Sequence, residues 1–317
     1  MKKTLSFVLA AGVCISLFAA DIFTYSPLKG NVKSYTKTEY SIASKFGNYF
    51  RTPSAKFNHV FDNKGKETQS SELSPKDVVV NTISSTYNNL GNITNQVCTS
   101  VDGEIIWKTD TVYKNNLKTE ISEYDGKNNL RGKTIFSYEN GNLADETGYD
   151  GDGSLLWKLV YKYNTDNKLE SVSSYSASGN LSEKEVYDYA DTGLVSSITY
   201  FDELEAETSQ EIFRYNENGL LNEITTYDNA KQITKRVLVK HDAKGNVTKI
   251  SEYTVSPKFG TTVNELASQT EYAYEYAVVV EKPVVKTVPV VEEAETEVIE
   301  EEMEALDDFD IPSISEK

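Results

Sequence analysis

Residues 189–220 read YADTGLVSSITYFDELEAETSQEIFRYNENGL. Tyr189 is followed by Gly193 and then by the strand-like run Leu194–Tyr200; past a polar turn the same order returns at Tyr215, Gly219 and Leu220. Outward in both directions the aromatic recurs every 25 or 26 residues, at Phe61, Tyr87, Tyr113, Tyr138, Tyr163, Tyr189 and Tyr215, with His241 in the eighth place. Glycine keeps the same beat at Gly65, Gly91, Gly141, Gly193, Gly219 and Gly245, and Asn116 and Asn167 fill the two gaps. Eight in-phase anchors define a structural repeat.

A second aromatic follows the first by 11 or 12 residues, at Tyr124, Tyr149, Tyr175, Tyr200, Tyr227 and Tyr253. Each half-unit is strand-length, rich in β-branched and aromatic residues, and bounded by Asn, Asp and Gly. The expected fold is therefore all-β: a repetitive antiparallel meander of about 16 or more short strands in an elongated, twisted or curled sheet. In Glu139-Asn140-Gly141 and Glu217-Asn218-Gly219 the glycine supplies the positive φ of a tight turn, and Asn is the next most tolerant residue there. Facing is less clear. Leu194, Ser196, Ile198 and Tyr200 alternate, whereas Leu169, Val172 and Tyr175 are three apart. Regular β-bulges account for both patterns, and so does a sheet partly buried on each side.

The motif resembles that of the tyrosine-aspartate (YD, RHS-like) repeat family over roughly residues 57 to 255, carried by Tyr189, Gly193 and Leu194, by Tyr215-Asn216, Gly219 and Leu220, and by His241-Asp242, Gly245 and Val247. That resemblance implies a β-sheet shell or spiral in an exported protein. The MORN-like class of hairpin repeats shares the Tyr-x-x-Gly element and stands second. Neither analogy fixes function.

The 317 residues carry 32 Lys+Arg against 49 Asp+Glu, a formal charge of -17. Nucleic acid and anionic lipid both need local positive charge, so neither is an expected partner. Lys2 and Lys3 ahead of the apolar run Leu5–Phe18, with Ala19 and Ala20 before Asp21, read as a signal peptide over residues 1–20. No membrane span is expected after its removal, and the protein is assigned to the periplasm or cell surface. Cys14 in Ala11-Gly12-Val13-Cys14 lacks the small residue directly before it that lipidation favours, and Cys98 is the only other cysteine. Cys98 occupies an aromatic slot eleven residues after Tyr87 and reads as a buried small hydrophobe.

Residues 21–56 form a divergent N-terminal strand or cap region, with an insertion of about nine residues within 44–54. Residues 57–280 form the hairpin-repeat domain. Residues 254–270, with Pro257 and Gly260, read as an interrupting polar loop before a last strand from Glu271 to Val280 that closes the sheet or covers its edge. Residues 281–317 hold 13 acidic side chains and 3 lysines, and this Pro/Val/Glu-rich tail is expected to be disordered.

No catalytic motif stands out. There is no Gly-x-Ser-x-Gly elbow, phosphate loop or dinucleotide fingerprint. Two histidines and one mature cysteine make no zinc site without carboxylates, and Asp150-Gly151-Asp152 reads as an Asx turn. No catalytic, cofactor or metal residue is assigned. The candidate interaction residues are Trp107 and Trp157, two periods apart, and the alternating Tyr272, Tyr274 and Tyr276. The expected function is a non-enzymatic exported scaffold binding an envelope or surface protein. A glycan-binding adhesin is the alternative, ahead of a carboxylate-dependent hydrolase.

Overall fold

Each half-unit returns the chain antiparallel to the strand just left. The computed structural model describes residues 22–45, 48–258 and 260–277. The chain divides into two units, residues 1–277 and 278–317. The leader, Cys14 and the acidic tail lie outside the described residues. After a 3-10 turn at Ile22–Thr24 come β1 (Val32–Lys45), β2 (Asn48–Phe61), β3 (Glu67–Leu73), β4 (Val79–Tyr87), β5 (Ile93–Ser100) and β6 (Ile105–Lys114). Next are β7 (Leu117–Asp125), β8 (Leu130–Glu139), β9 (Asn142–Asp150), β10 (Leu155–Tyr163), β11 (Leu169–Ser176) and β12 (Leu181–Tyr189). The last six are β13 (Val195–Phe201), β14 (Glu207–Tyr215), β15 (Leu221–Asp228), β16 (Ile233–His241), β17 (Val247–Lys258) and β18 (Thr261–Tyr276).

Every strand pairs with its sequence neighbours, and β1 pairs with both β2 and β18, in register Tyr35↔Tyr274, Lys37↔Tyr272 and Glu39↔Thr270. The sheet therefore closes. This corrects the expected open or curled meander: the fold is an 18-stranded antiparallel up-and-down barrel. The physical reason is edge satisfaction, because an open meander leaves two rows of unpaired backbone groups and closure removes both. Turn residues report pairing between neighbours and carry no signal for a pairing across the whole chain.

Bulges fall where the aromatic beat falls. The register shifts immediately before Phe61, Tyr87, Tyr113, Tyr138, Tyr163, Tyr189, Tyr215 and His241. A second set lies at Glu123/Tyr124, Ser174/Tyr175, Thr226/Tyr227 and Glu252/Tyr253. These bulges reconcile the three-residue spacings with strands. The anchor tyrosines then reach sideways: the hydroxyls of Tyr87, Tyr113, Tyr138 and Tyr189 donate to the carbonyls of Glu67, Ile93, Lys118 and Leu169, at 2.6, 2.9, 2.9 and 2.8 Å. In each case the acceptor lies 20 residues back. The beat is thus a strand-end lock repeated around one mouth of the barrel.

Residues 254–258 and 261–270 are strand. They form the outer parts of β17 and β18, joined at Gly260, and with the long β1 and β2 they make two hairpin arms. The surplus of the N-terminal region lies in the β1–β2 arm, where β1 pairs with β2 as far as Lys45↔Asn48 but with β18 only to Ser41↔Ser268.

The left-handed turn position is glycine in most hairpins, and Asn116 and Asn167 adopt it at φ 64° and 61°. Glu205 and Lys231 hold it without that tolerance, at φ 58° and 59°. Glu205→Gly is expected to stabilise the protein by about 0.5–1 kcal/mol in urea titration, since relief of left-handed strain exceeds the added chain entropy. Gly65→Ala, at φ 76° with open space around it, is expected to destabilise by about 1 kcal/mol. A neutral or reversed pair of results contradicts the turn assignment.

Candidate functional site

The two faces of the wall differ in chemistry. Side chains of seven adjoining strands, β1, β2 and β14–β18, bound one cavity of about 510 Å³ together with Ile22, Phe23 and Tyr25. Convergence of that many neighbouring strands on one space identifies the concave face. Phe23 packs on Tyr35 and Tyr272, with centroids 5.4 and 5.6 Å away, and Tyr25 packs on Phe213 at 5.0 Å. The incoming segment is tied down at the aromatic mouth, where the Lys29 amide donates to Asn246 Oδ1 at 2.7 Å and Ser26 Oγ lies 3.1 Å from His241 Nε2. Residues 22–28 therefore line the concave wall, and the buried apolar core, including Ile198, Phe213, Leu221, Val237 and Val247, gathers on that sector.

Cross-strand register carries facing around the barrel. The concave face bears Glu185, Tyr187 and Tyr200 on β12 and β13, Glu211 and Phe213 on β14, and Lys235 and Val237 on β16. Glu185 is 7% exposed and accepts from the Tyr187 hydroxyl at 2.7 Å. Glu211 is 3% exposed and accepts from Tyr200 at 3.1 Å and Thr226 at 3.3 Å. Farther round, Tyr161 donates to Glu146 at 2.9 Å. Burial pushes the Glu185 carboxyl up to about 7, against a smaller lowering by the Tyr187 bond. Burial also raises Glu211, opposed by the bond from Tyr200 and the charge of Lys235. Lys37–Glu39 and Lys235–Glu252 are ion pairs, each at 2.7 Å, beside the same cavity. The arrangement offers aromatic faces with buried hydrogen-bonding carboxylates, and its charges are largely internally partnered.

The outward face is hydrophilic at mid-strand. Lys108, Lys133, Lys158, Lys184 and Arg236 each occupy the fourth position of β6, β8, β10, β12 and β16, and register places them opposite the concave set. Several are paired: Lys133 with Glu120 at 3.0 Å, Lys158 with Asp145 at 3.6 Å, and Arg214 and Arg236 with Glu223 at 3.3 and 3.8 Å. No helix among the described residues is long and apolar enough to cross a membrane, which says nothing about strands.

The candidate interaction residues face inward. Trp107 pairs with Cys98, which is buried and free, and Trp157 lies over Gly148. Both tryptophans are half-buried on the concave side. Tyr272, Tyr274 and Tyr276 belong to or pack on the core, and the latter two donate to the Val247 carbonyl at 2.7 Å and to Asp242 at 2.5 Å. His241 is kept below its ordinary range, first by burial and then by Lys29, while His59 stacks on Tyr35 at 4.4 Å and lies 2.9 Å from Glu67. Among the described residues no His/Cys/Asp/Glu group is arranged to hold a metal. The Asp150 turn is an Asx turn, accepting from the amides of Asp152 and Ser154 at 3.0 and 2.8 Å. Sequence reasoning missed Glu185, Glu211 and the lining role of residues 22–28. The recurrence of Lys108, Lys133, Lys158 and Lys184 at 25 or 26 residues was a usable signal for the water-facing side.

No family model and no curated protein matches the chain, so the YD-repeat resemblance gains no support there. Among solved structures it is similar to a porin-like protein from Bacteroides uniformis at 11% identity and TM-score 0.45, covering 78% of this chain and 99% of that one. It is also similar to a porin-like protein from Bacteroides vulgatus at 10% identity and TM-score 0.31, covering 77% and 98%. A TcdB2-TccC3 toxin structure matches at 11% identity and TM-score 0.25, covering 71% of this chain and 16% of that one. At these scores the likenesses carry no argument about function.

The raised Glu185 carboxyl has a pH signature. Between its unfolded value near 4.5 and its folded value of about 7, the native state holds more protons than the unfolded one, so stability falls as pH rises through this window. Glu185→Gln is expected to match wild type near pH 5 and to exceed it by on the order of 2 kcal/mol near pH 8 in urea titration. An equal difference at both pH values contradicts the burial account. Separately, a Cβ on Gly148 would lie 2.3 Å from the Trp157 ring, so Gly148→Ala is expected to cost about 1–3 kcal/mol. An unchanged unfolding midpoint would remove Trp157 from its place.

Proposed function

We propose that this protein is an exported, non-enzymatic barrel that works as a protein-interaction scaffold in the aqueous part of the cell envelope. One observation supports this above the rest: the charged, ion-paired outward face. A lysine or arginine facing lipid at the bilayer midplane costs about 2–4 kcal/mol, and here cations recur at mid-strand on five even-numbered strands. A membrane barrel reads apolar on its outward face; this wall carries ion-paired charges there. Packing of Ile22, Phe23, Tyr25 and Leu28 against the wall rigidifies one sector, and among the described residues closure leaves the two mouths and the hairpin arms as irregular surface.

The aromatic residues of the concave face support a second reading, a receptor for a small glycan or amphiphile. Trp107 on β6 and Trp157 on β10 lie on that face, outside the lining of the 510 Å³ cavity, so stacking on them would occur in the lumen and not on an outer platform. Calorimetric titration with oligosaccharides tests it, and binding unaffected by Trp107→Ala and Trp157→Ala would remove it.

Fractionation of cells producing the full chain tests the first reading. The protein is expected to be released by osmotic shock or extracted by alkaline carbonate without detergent. Retention in the membrane pellet until detergent is added would defeat the aqueous assignment.

A further inference from the structure

The two mouths of the barrel are chemically unlike. The aromatic-locked mouth has turns at 28–31, 62–66, 88–92, 114–117, 139–142, 164–168, 190–194, 216–220 and 242–246, which together carry six acidic and six basic residues. The opposite mouth has turns at 74–78, 100–104, 125–129, 150–154, 176–180, 202–206 and 228–232, with ten acidic residues and three basic ones, and the tips of its two hairpin arms add Lys45 and Lys258, for ten acidic against five basic. Apolar exposure follows the same division. Of fifteen large hydrophobic side chains exposed among the described residues, ten lie at this acidic mouth or on its β1–β2 arm, and three, Leu90, Val112 and Leu117, lie at the other mouth. Leu204 is 82% exposed, Val101 64% and Val78 63%, and Phe50 and Leu156 join them. Single exposed hydrophobes are ordinary, but Tyr49 and Phe50 on the β1–β2 arm, Val78 to Val80 at the next turn and Val101 and Ile105 at the one after it occupy neighbouring positions on this rim, and such a contiguous group is the pattern of an interaction site.

We infer that the acidic mouth is a docking surface for a protein partner presenting apolar residues flanked by lysine and arginine. This deepens the scaffold reading and rests on it. Charge complementarity selects the occupant. The acidic tips beside Val101 and Leu204, namely Asp102, Glu104, Glu203 and Glu205, would repel an anionic membrane and a second copy of the same mouth, and would attract a basic amphipathic face. Apolar side chains then supply the buried contact, with the carboxylates as its rim.

The test uses the full chain and a fluorescent amphipathic helical peptide of leucine and lysine, with control peptides carrying glutamate for lysine or serine for leucine. Only the leucine-lysine peptide is expected to bind, with affinity falling as salt rises. The triple variant Val78→Ser, Val101→Ser, Leu204→Ser is expected to weaken binding by about tenfold or more, and Leu90→Ser at the other mouth is expected to leave it unchanged. Circular dichroism of both variants confirms folding. Equal binding by the triple variant would overturn the inference, because attraction to any acidic segment, including 281–317, survives those substitutions. Sedimentation showing a dimer that the triple variant abolishes would overturn it in favour of a second copy. Capture by phosphatidylcholine vesicles but not by the peptide would overturn it in favour of lipid. None of these outcomes repeats the fractionation result, so failure of the docking surface leaves the aqueous assignment standing, and failure of that assignment is seen without the peptide.

Discussion

The barrel depends on one strand pairing, that of β1 with β18. Seventeen of the eighteen ladders join neighbours in sequence and form locally; the eighteenth joins residues such as Ser34 and Glu275, 241 positions apart. Until it forms, both ends of the meander are open edges, exposed to pairing with other chains. The side chains reinforce this seam. Tyr35 on β1 lies within 5.8 Å of Tyr274 and 6.1 Å of Tyr272 on β18, and Phe23 from the incoming segment packs on both Tyr35 and Tyr272. The buried core is therefore densest near the place where closure is most remote in sequence. Loop-closure cost makes such a contact slow to form.

Closure also gives the two faces their meaning. Once the sheet is a barrel, a one-residue alternation sorts side chains into inside and outside, and the bulges keep that sorting in step across hairpins of 25 or 26 residues. Glu185 and Glu211 become buried hydrogen-bond acceptors for tyrosines, whereas Lys184 and Arg214 on the same strands face outward. The consequence is a wall suited to water outside, with aromatic and carboxylate groups inside.

Much of the local structure is legible in the sequence. The beat of Tyr and Gly marks strand ends and left-handed turns because both are local, and Asn116 and Asn167 substitute for glycine for the same reason. Closure was not legible, since Tyr272–Tyr276 reads as a last strand whether it caps an edge or joins β1. Pro257 and Gly260 read as a loop because a proline in a strand interior is disfavoured; here Pro257 sits in the part of β17 that extends beyond its pairing with β16, where a missing donor is tolerated. Which face is buried was hidden by the bulges, so from sequence Trp107 and Trp157 read as core fillers ahead of a surface platform. The residues on the cavity come from both ends of the chain and share no motif.

Closure is tested most directly by a pair of cysteines across the seam. Thr36 and Ala273 are register partners on the outward face of β1 and β18, at a spacing that antiparallel pairing makes suitable for a disulfide. In a Cys98→Ser background, Thr36→Cys with Ala273→Cys is expected to form an intramolecular disulfide on mild oxidation, seen as a faster-migrating monomer on non-reducing gels. Free thiols in a folded monomer, or bonds only between chains, would contradict the closed barrel.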